Sequence, residues 1–93
     1  MQYTYTVILR REPEGGYTVL VPALRGCVTW GKNVIESLQM GREAIECYLE
    51  SMVKHGETVP EEGPVISFER EELDEGLLFR VDATLEQEAA VYA

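Results

Sequence analysis

The chain has 93 residues, of which 45% are hydrophobic and 27% are charged, and its formal net charge is −9. This length suits one small domain, the apolar content argues against global disorder, and the negative charge disfavours binding to nucleic acid. No apolar run approaches the about 20 residues of a membrane span, and the first residues do not form a signal-peptide hydrophobic region. We therefore expect a single cytoplasmic domain over residues 1–93 that does not associate with membranes.

The first third of the chain predicts three strands. Residues 3–11 alternate apolar and polar side chains, which is the period of a half-buried strand. Residues 12–16 combine a proline with two glycines and predict a tight turn. A second strand is predicted at residues 17–21. It ends there because the next residue, Pro22, has no N–H to donate to a neighbouring strand. Residues 27–31 predict a short third strand.

The turn length predicts how the first two strands pair. A five-residue loop places Leu9 opposite Val19 and Val7 opposite Val21, so both apolar sets lie on one face of the sheet. By the same alternation, a second set of apolar residues points to the other face. The members of that second set are Ile8, Leu20, Val28 and Trp30.

A long amphipathic helix follows the third strand. Asn33 is predicted to cap its first turn, and Glu36 three residues later completes a pattern like the capping box. Gly56 is predicted to end the helix in a left-handed conformation. Between them, residues with spacings of three and four form one apolar stripe. The stripe consists of Val34, Leu38, Gly41, Ile45, Tyr48, Leu49 and Met52.

The last third of the chain predicts less regular structure. Residues 65–70 form a possible short strand, residues 77–82 a clearer one, and residues 84–93 a frayed or weakly helical tail. The predicted fold class is therefore α+β, in two layers. One long helix covers an antiparallel or mixed sheet in the order β-β-β-α-β.

One helix covers only one face of such a sheet. The opposite face, with Ile8, Leu20, Val28 and Trp30, would then leave an apolar patch containing tryptophan in water. We expect this face to form a homodimer, sheet against sheet, or to bind another protein. The alternative is that the C-terminal tail folds over it.

The charge is distributed unevenly along the chain. Residues 1–56 hold six acidic and six basic side chains, whereas residues 57–93 hold eleven acidic and two basic ones. This acidic third predicts a docking surface for a basic partner, and the alternative is loop charge that keeps a small protein soluble. The residues proposed for the acidic surface are Glu61, Glu62, Glu69, Glu71, Glu72, Asp74 and Glu75.

The sequence contains no recognisable catalytic or metal-binding motif. His55 lies at the predicted helix end, where it suits the helix dipole, and no cysteine or serine lies near a base. Glu46 and Asp82 could form a carboxylate pair, which is fewer carboxylates than a two-metal nuclease requires. Cys27 and Cys47 are predicted to be small buried residues, with a disulfide or a reactive thiol as alternatives. We therefore expect no enzyme activity, no cofactor and no metal.

Several short motifs together resemble the HicB-like antitoxin family. They cover roughly residues 3–60, and the likeness continues weakly through residues 77–82. The motifs are Glu14-Gly15-Gly16-Tyr17, Val19, Val21-Pro22, Leu24, Gly26-Cys27, Thr29, Gly31 and the helix with Glu36, Leu38 and Arg42-Glu43-Ala44-Ile45. The chain departs from the family pattern at Ala23, Arg25 and Trp30. Residues 84–93 are too few for the C-terminal DNA-binding module of full-length members, so the resemblance does not imply operator binding.

The resemblance implies a partial ribonuclease-H-like fold without nuclease activity. It also implies a role in binding and masking a small basic ribonuclease toxin of the HicA type. The alternative function is an orphan homodimeric structural domain that has no toxin partner.

Overall fold

The computed structural model describes residues 2–60 and 76–85. A four-stranded antiparallel sheet with strand order β3-β2-β1-β4 packs against one helix, as the predicted α+β class requires. The elements are β1 (Gln2–Arg11), β2 (Tyr17–Leu20), β3 (Val28–Gly31), α1 (Val34–Lys54) and β4 (Gly76–Thr84). No helix in the described part of the chain is long and apolar enough to cross a membrane.

The β1–β2 hairpin has the predicted register. Leu9 lies opposite Val19, while β2 ends at Leu20, one residue before the second predicted pair. The Glu12 N–H donates to Gly16 O at 3.0 Å and closes the turn. Gly16 has a φ of 80°, which favours glycine because other residues rarely adopt it. Turn chemistry and alternation therefore fix which side chains reach the core.

Helix α1 begins and ends where the sequence predicts. The side chain of Asn33 accepts a hydrogen bond from the Glu36 N–H at 2.8 Å, and the Glu36 carboxylate accepts one from the Lys32 N–H at 3.3 Å. These bonds satisfy N–H groups that the first turn leaves without helical partners. His55 is the C-cap, and Gly56 follows with a φ of 72°. Both predicted helix ends are confirmed.

The helix packs closely on the centre of the sheet. A methyl group added at Gly41 would lie 3.3 Å from Val19 Cγ1, so the glycine brings the helix backbone near the strands, as predicted. The fully buried residues of α1 are Ser37, Gly41, Ile45 and Leu49. The sequence did not predict the burial of Ser37, whose hydroxyl has no hydrogen-bond partner in the described part of the chain. The hydrophobic core joins Ile45 and Leu49 of the helix to strand residues that include Tyr5, Val7, Leu9, Val19, Val81 and Ala83.

β4 pairs antiparallel with β1 along its whole length, from Gly76 opposite Arg10 to Thr84 opposite Gln2. It is longer than the strand predicted at residues 77–82. The prediction that the tail begins at Thr84 is wrong, because Thr84 continues the ladder with β1. The possible strand at residues 65–70 and the rest of the predicted tail lie outside the described residues.

Candidate protein-binding face

The two faces of the sheet differ in solvent exposure. Toward α1, Val7, Leu9 and Val19 have no exposed surface. On the opposite face, Val28 is 56% exposed and Trp30 is 50% exposed. Because water penalises exposed apolar surface, the second face is the region of the sheet best suited to bind another molecule.

The strand registers align apolar residues across this second face. Leu78, Ile8, Leu20 and Val28 are consecutive neighbours on β4, β1, β2 and β3. Trp30 is two residues beyond Val28 and pairs with Thr18. We call the surface formed by Leu20, Val28, Trp30 and Leu78 the open-face patch. The sequence predicted three of these residues, and Leu78 was missed.

Ile8 differs from the other residues predicted for this face. It alternates with the core residues Val7 and Leu9, but it has no exposed surface within the single chain. β1 is a central strand, so Ile8 is flanked by Leu20 and Leu78 on the neighbouring strands. Thr6, on the same strand and the same face, is also buried, at 5% exposure, so the exposed apolar residues of this face are those of the open-face patch.

The side chain of Trp30 lies against the β1–β2 turn. A methyl group added at Gly16 would clash with the indole ring, 2.7 Å from Cε2, so the absence of a side chain at Gly16 makes room for the tryptophan. The ring is thus supported on one side and half exposed on the other. A large aromatic side chain that is already fixed in place loses little conformational entropy on binding.

Polar groups surround the open-face patch. The Thr4 hydroxyl donates to Asp82 Oδ1 at 2.6 Å on one side. Near the hairpin turn, the Thr18 hydroxyl donates to the Glu12 carboxylate, which also lies 3.9 Å from Arg10 Nε. An apolar centre with a polar rim is the usual organisation of a protein–protein interface.

Side chains of α1 reach the edge of β4, which the sequence did not predict. Arg42 Nε donates to Asp82 O at 2.9 Å, and the Thr84 N–H donates to Glu46 Oε2 at 2.9 Å. Glu46 and the main chain of Asp82 therefore take part in helix–strand contacts. The pairs are separated by about 40 positions in the sequence, so no local pattern indicates them.

The remaining candidate residues are placed as follows. Cys27 is buried, as predicted, and its burial raises the pKa of the thiol, whereas Cys47 is exposed and the prediction for it is wrong. A ring nitrogen of His55 lies 2.7 Å from Ser51 O at the helix end. The described residues contain no group of three metal-binding side chains. The seven residues of the predicted acidic surface lie outside the described part of the chain.

The sequence of this chain matches the profile of a known protein family. Residues 5–90 match the profile described as the HicB_like antitoxin of bacterial toxin-antitoxin systems. This chain belongs to the HicB-like antitoxin family. The resemblance inferred from the sequence motifs is confirmed.

Relatives of this HicB-like chain occur in archaea and bacteria. A UPF0150 protein of Thermoplasma acidophilum is 50% identical over 56 residues, which cover 60% of this chain and 81% of the relative. A UPF0150 protein of Synechocystis is 41% identical over 64 residues, covering 69% and 81%.

Solved structures share the HicB-like fold at low sequence identity. A chain of a toxin-antitoxin complex from Streptococcus pneumoniae superposes with a TM-score of 0.79 at 17% identity, covering 95% of this chain and 73% of the other. The N-terminal domain of the Burkholderia pseudomallei antitoxin HicB gives a TM-score of 0.73 at 22% identity, covering 88% and 99%. The likeness shows a common fold.

Proposed function

We propose that this HicB-like antitoxin binds and neutralises a small, basic ribonuclease toxin of the HicA type and has no catalytic activity of its own. Membership of an antitoxin family supports the general role. Similarity in fold to a chain of a toxin-antitoxin complex is consistent with a toxin as the partner.

The open-face patch is the proposed contact surface for the toxin. The observation that carries this assignment is Trp30, which is half exposed, lies against Gly16 and is two residues from the end of the apolar row at Val28. Tryptophan is enriched among the residues that dominate binding energy at interfaces. A sheet-to-sheet homodimer, the other occupant expected from the sequence, would compete for the same surface.

Neutralisation in cells tests the assignment. The first step is to look beside the coding sequence of this chain for a short, strongly basic protein and to express that protein under an inducible promoter as the toxin. Wild-type antitoxin should restore growth and block RNA cleavage by the purified toxin. Trp30→Glu should abolish both effects, because it places a charge in a desolvated apolar contact.

Ile35→Glu is the matched control. Ile35 is an apolar residue that is 72% exposed, and it lies on α1, which covers the other side of the sheet. This variant should neutralise the toxin as well as the wild type does. Equal loss in both variants would contradict the assignment of the face. If no short basic protein is encoded nearby, or if the one encoded there does not bind, the orphan structural domain is the better description.

The acidic third of the chain is proposed to speed the encounter with the toxin. Opposite charges raise association rates, and the effect falls as salt increases. Reversing Glu61, Glu62 and Glu69 to lysine should lower the association rate constant at low salt and flatten its salt dependence. Stopped-flow measurements over a range of ionic strength check this, with thermal melting as the control. An unchanged rate constant would mean that these charges serve solubility.

A further inference from the structure

The main-chain N–H and C=O groups of β4 point either toward β1 or away from the sheet, and the structure shows which residues do which. Among the described residues only β1 pairs with β4. Successive strand residues turn their N–H and C=O groups in opposite directions. Because Asp82 O and the Thr84 N–H meet side chains of α1 rather than β1, the even-numbered residues face outward. Gly76, Leu78 and Arg80 therefore present their N–H and C=O groups at the outer edge.

The helix closes one end of this edge. Arg42 and Glu46 occupy outward groups of Asp82 and Thr84, so a strand added from outside is blocked there. Among the described residues, none covers the edge at residues 76–80, which has Leu78 at its centre; we call this segment the open part of the edge. Long exposed edges invite pairing with another strand, and covering part of an edge restricts where such pairing occurs.

The open part of the edge is apolar on both sides of the sheet. Leu77 is 47% exposed on the helix side, and Leu78 is 45% exposed on the other side. A strand that docked here would cover both leucines while satisfying the outward main-chain groups. Main-chain pairing combined with pockets for alternate side chains is the usual basis of strand addition.

We propose that residues 76–80 pair in antiparallel fashion with the same residues of a second copy, around a twofold axis at Leu78. The two sheets then join edge to edge into one continuous sheet. Leu78 belongs to this edge and also to the open-face patch, whereas Trp30 lies on the opposite edge strand, β3. Self-association is measured on the chain without toxin, so its failure is distinguishable from failure of the proposed toxin binding.

The proposed register makes the edge complementary to itself. Leu78 faces Leu78 of the second copy, and Leu77 faces Phe79 of the second copy, so each exposed leucine meets an apolar residue. Arg80 faces Gly76 of the second copy, which has no side chain to clash with it. A shift by two residues would place Leu78 opposite either Gly76 or Arg80 and lose these apolar contacts.

Self-association through this edge is expected to be weak and reversible. The pairing forms about six main-chain hydrogen bonds over five residues of each copy, which is far smaller than a standard stable interface. Sedimentation velocity should therefore show a concentration-dependent monomer–dimer equilibrium in the micromolar range.

Charge complementation at the twofold axis tests the proposal. Leu78→Lys and Leu78→Glu should each be monomeric, because the axis brings two like charges together. An equimolar mixture of the two variants should recover dimer, since lysine then faces glutamate across the axis. Sedimentation velocity on the separate and mixed samples measures this. Dimer in either variant alone, or no recovery on mixing, would overturn the proposal.

Proline variants at the two sheet edges provide a second readout. Leu78→Pro removes an outward N–H without removing a bond to β1, so it should prevent dimer formation and leave thermal melting nearly unchanged. Val28→Pro makes the equivalent change at the outer edge of β3 and should leave the dimer intact. Dimer loss in Val28→Pro or in Trp30→Glu, with Leu78→Pro still dimeric, would place the interface elsewhere and overturn the proposal.

Discussion

The covered and open faces of the sheet use the same strands and similar residues for different purposes. Leu9 and Val19 are fully buried under α1, whereas Val28 and Trp30 are half exposed on the other side. Alternation along each strand sends neighbouring residues to opposite faces. Where α1 covers the sheet, apolar side chains stabilise the fold, and where Val28 and Trp30 are left exposed, similar side chains remain available for a partner.

The largest expected difference in stability is between two variants, each with one side chain shortened, one on the covered side of the sheet and one on the open face. Leu49→Ala on the covered side should lower the free energy of unfolding by about 2–5 kcal/mol, because it leaves a cavity in the core. Val28→Ala on the open face should lower it by about 0.5 kcal/mol or less. Urea denaturation measures both values, and similar losses at both positions would contradict the comparison.

The next largest change in stability is expected at the close contact between β3 and the start of α1. A methyl group at Gly31 would overlap Ser37, including its backbone N at 2.6 Å, so the helix must shift. Gly31→Ala should destabilise the protein by about 1–3 kcal/mol in urea denaturation. Lys32→Ala, at the exposed neighbouring position, is the control. A neutral Gly31→Ala would mean that the covered face is packed less tightly than the structure shows.

A smaller effect on stability than that of Gly31→Ala, with the opposite sign, is expected at Ser37. The hydroxyl of Ser37 is buried under the covered face and has no hydrogen-bond partner within residues 2–60 and 76–85. Ser37→Ala removes this unsatisfied group and should raise the free energy of unfolding by about 1 kcal/mol. A clear loss of stability in urea denaturation would show that the hydroxyl has a partner in solution.

Local patterns were sufficient to predict most of the fold. Alternation in β1, the glycine-rich turn and the cap at Asn33 each depend on a few neighbouring residues, and all three are observed. From these features the sequence predicts the register of the β1–β2 hairpin, the first turn of the helix and the face of the sheet on which Trp30 lies.

The features that the sequence missed depend on distant contacts. Ile8 has no exposed surface although alternation places it on the open face, so alternation alone does not reveal its burial. Ser37 looks like a polar surface residue but lies against Gly31. The contacts of Arg42 and Glu46 with β4 join residues about 40 positions apart. The burial of Ser37 and the contacts of Arg42 and Glu46 required the packing of helix on sheet before they could be seen.

Binding of the toxin to Trp30→Ala, measured by isothermal titration calorimetry, tests the central claim most directly. If the open face is the binding surface, the variant should lose about 2 kcal/mol of binding free energy, or about 30-fold in affinity. Ile35→Ala, on the opposite side of the molecule, should bind like the wild type. Unchanged affinity in Trp30→Ala, with a loss in Ile35→Ala, would contradict the account.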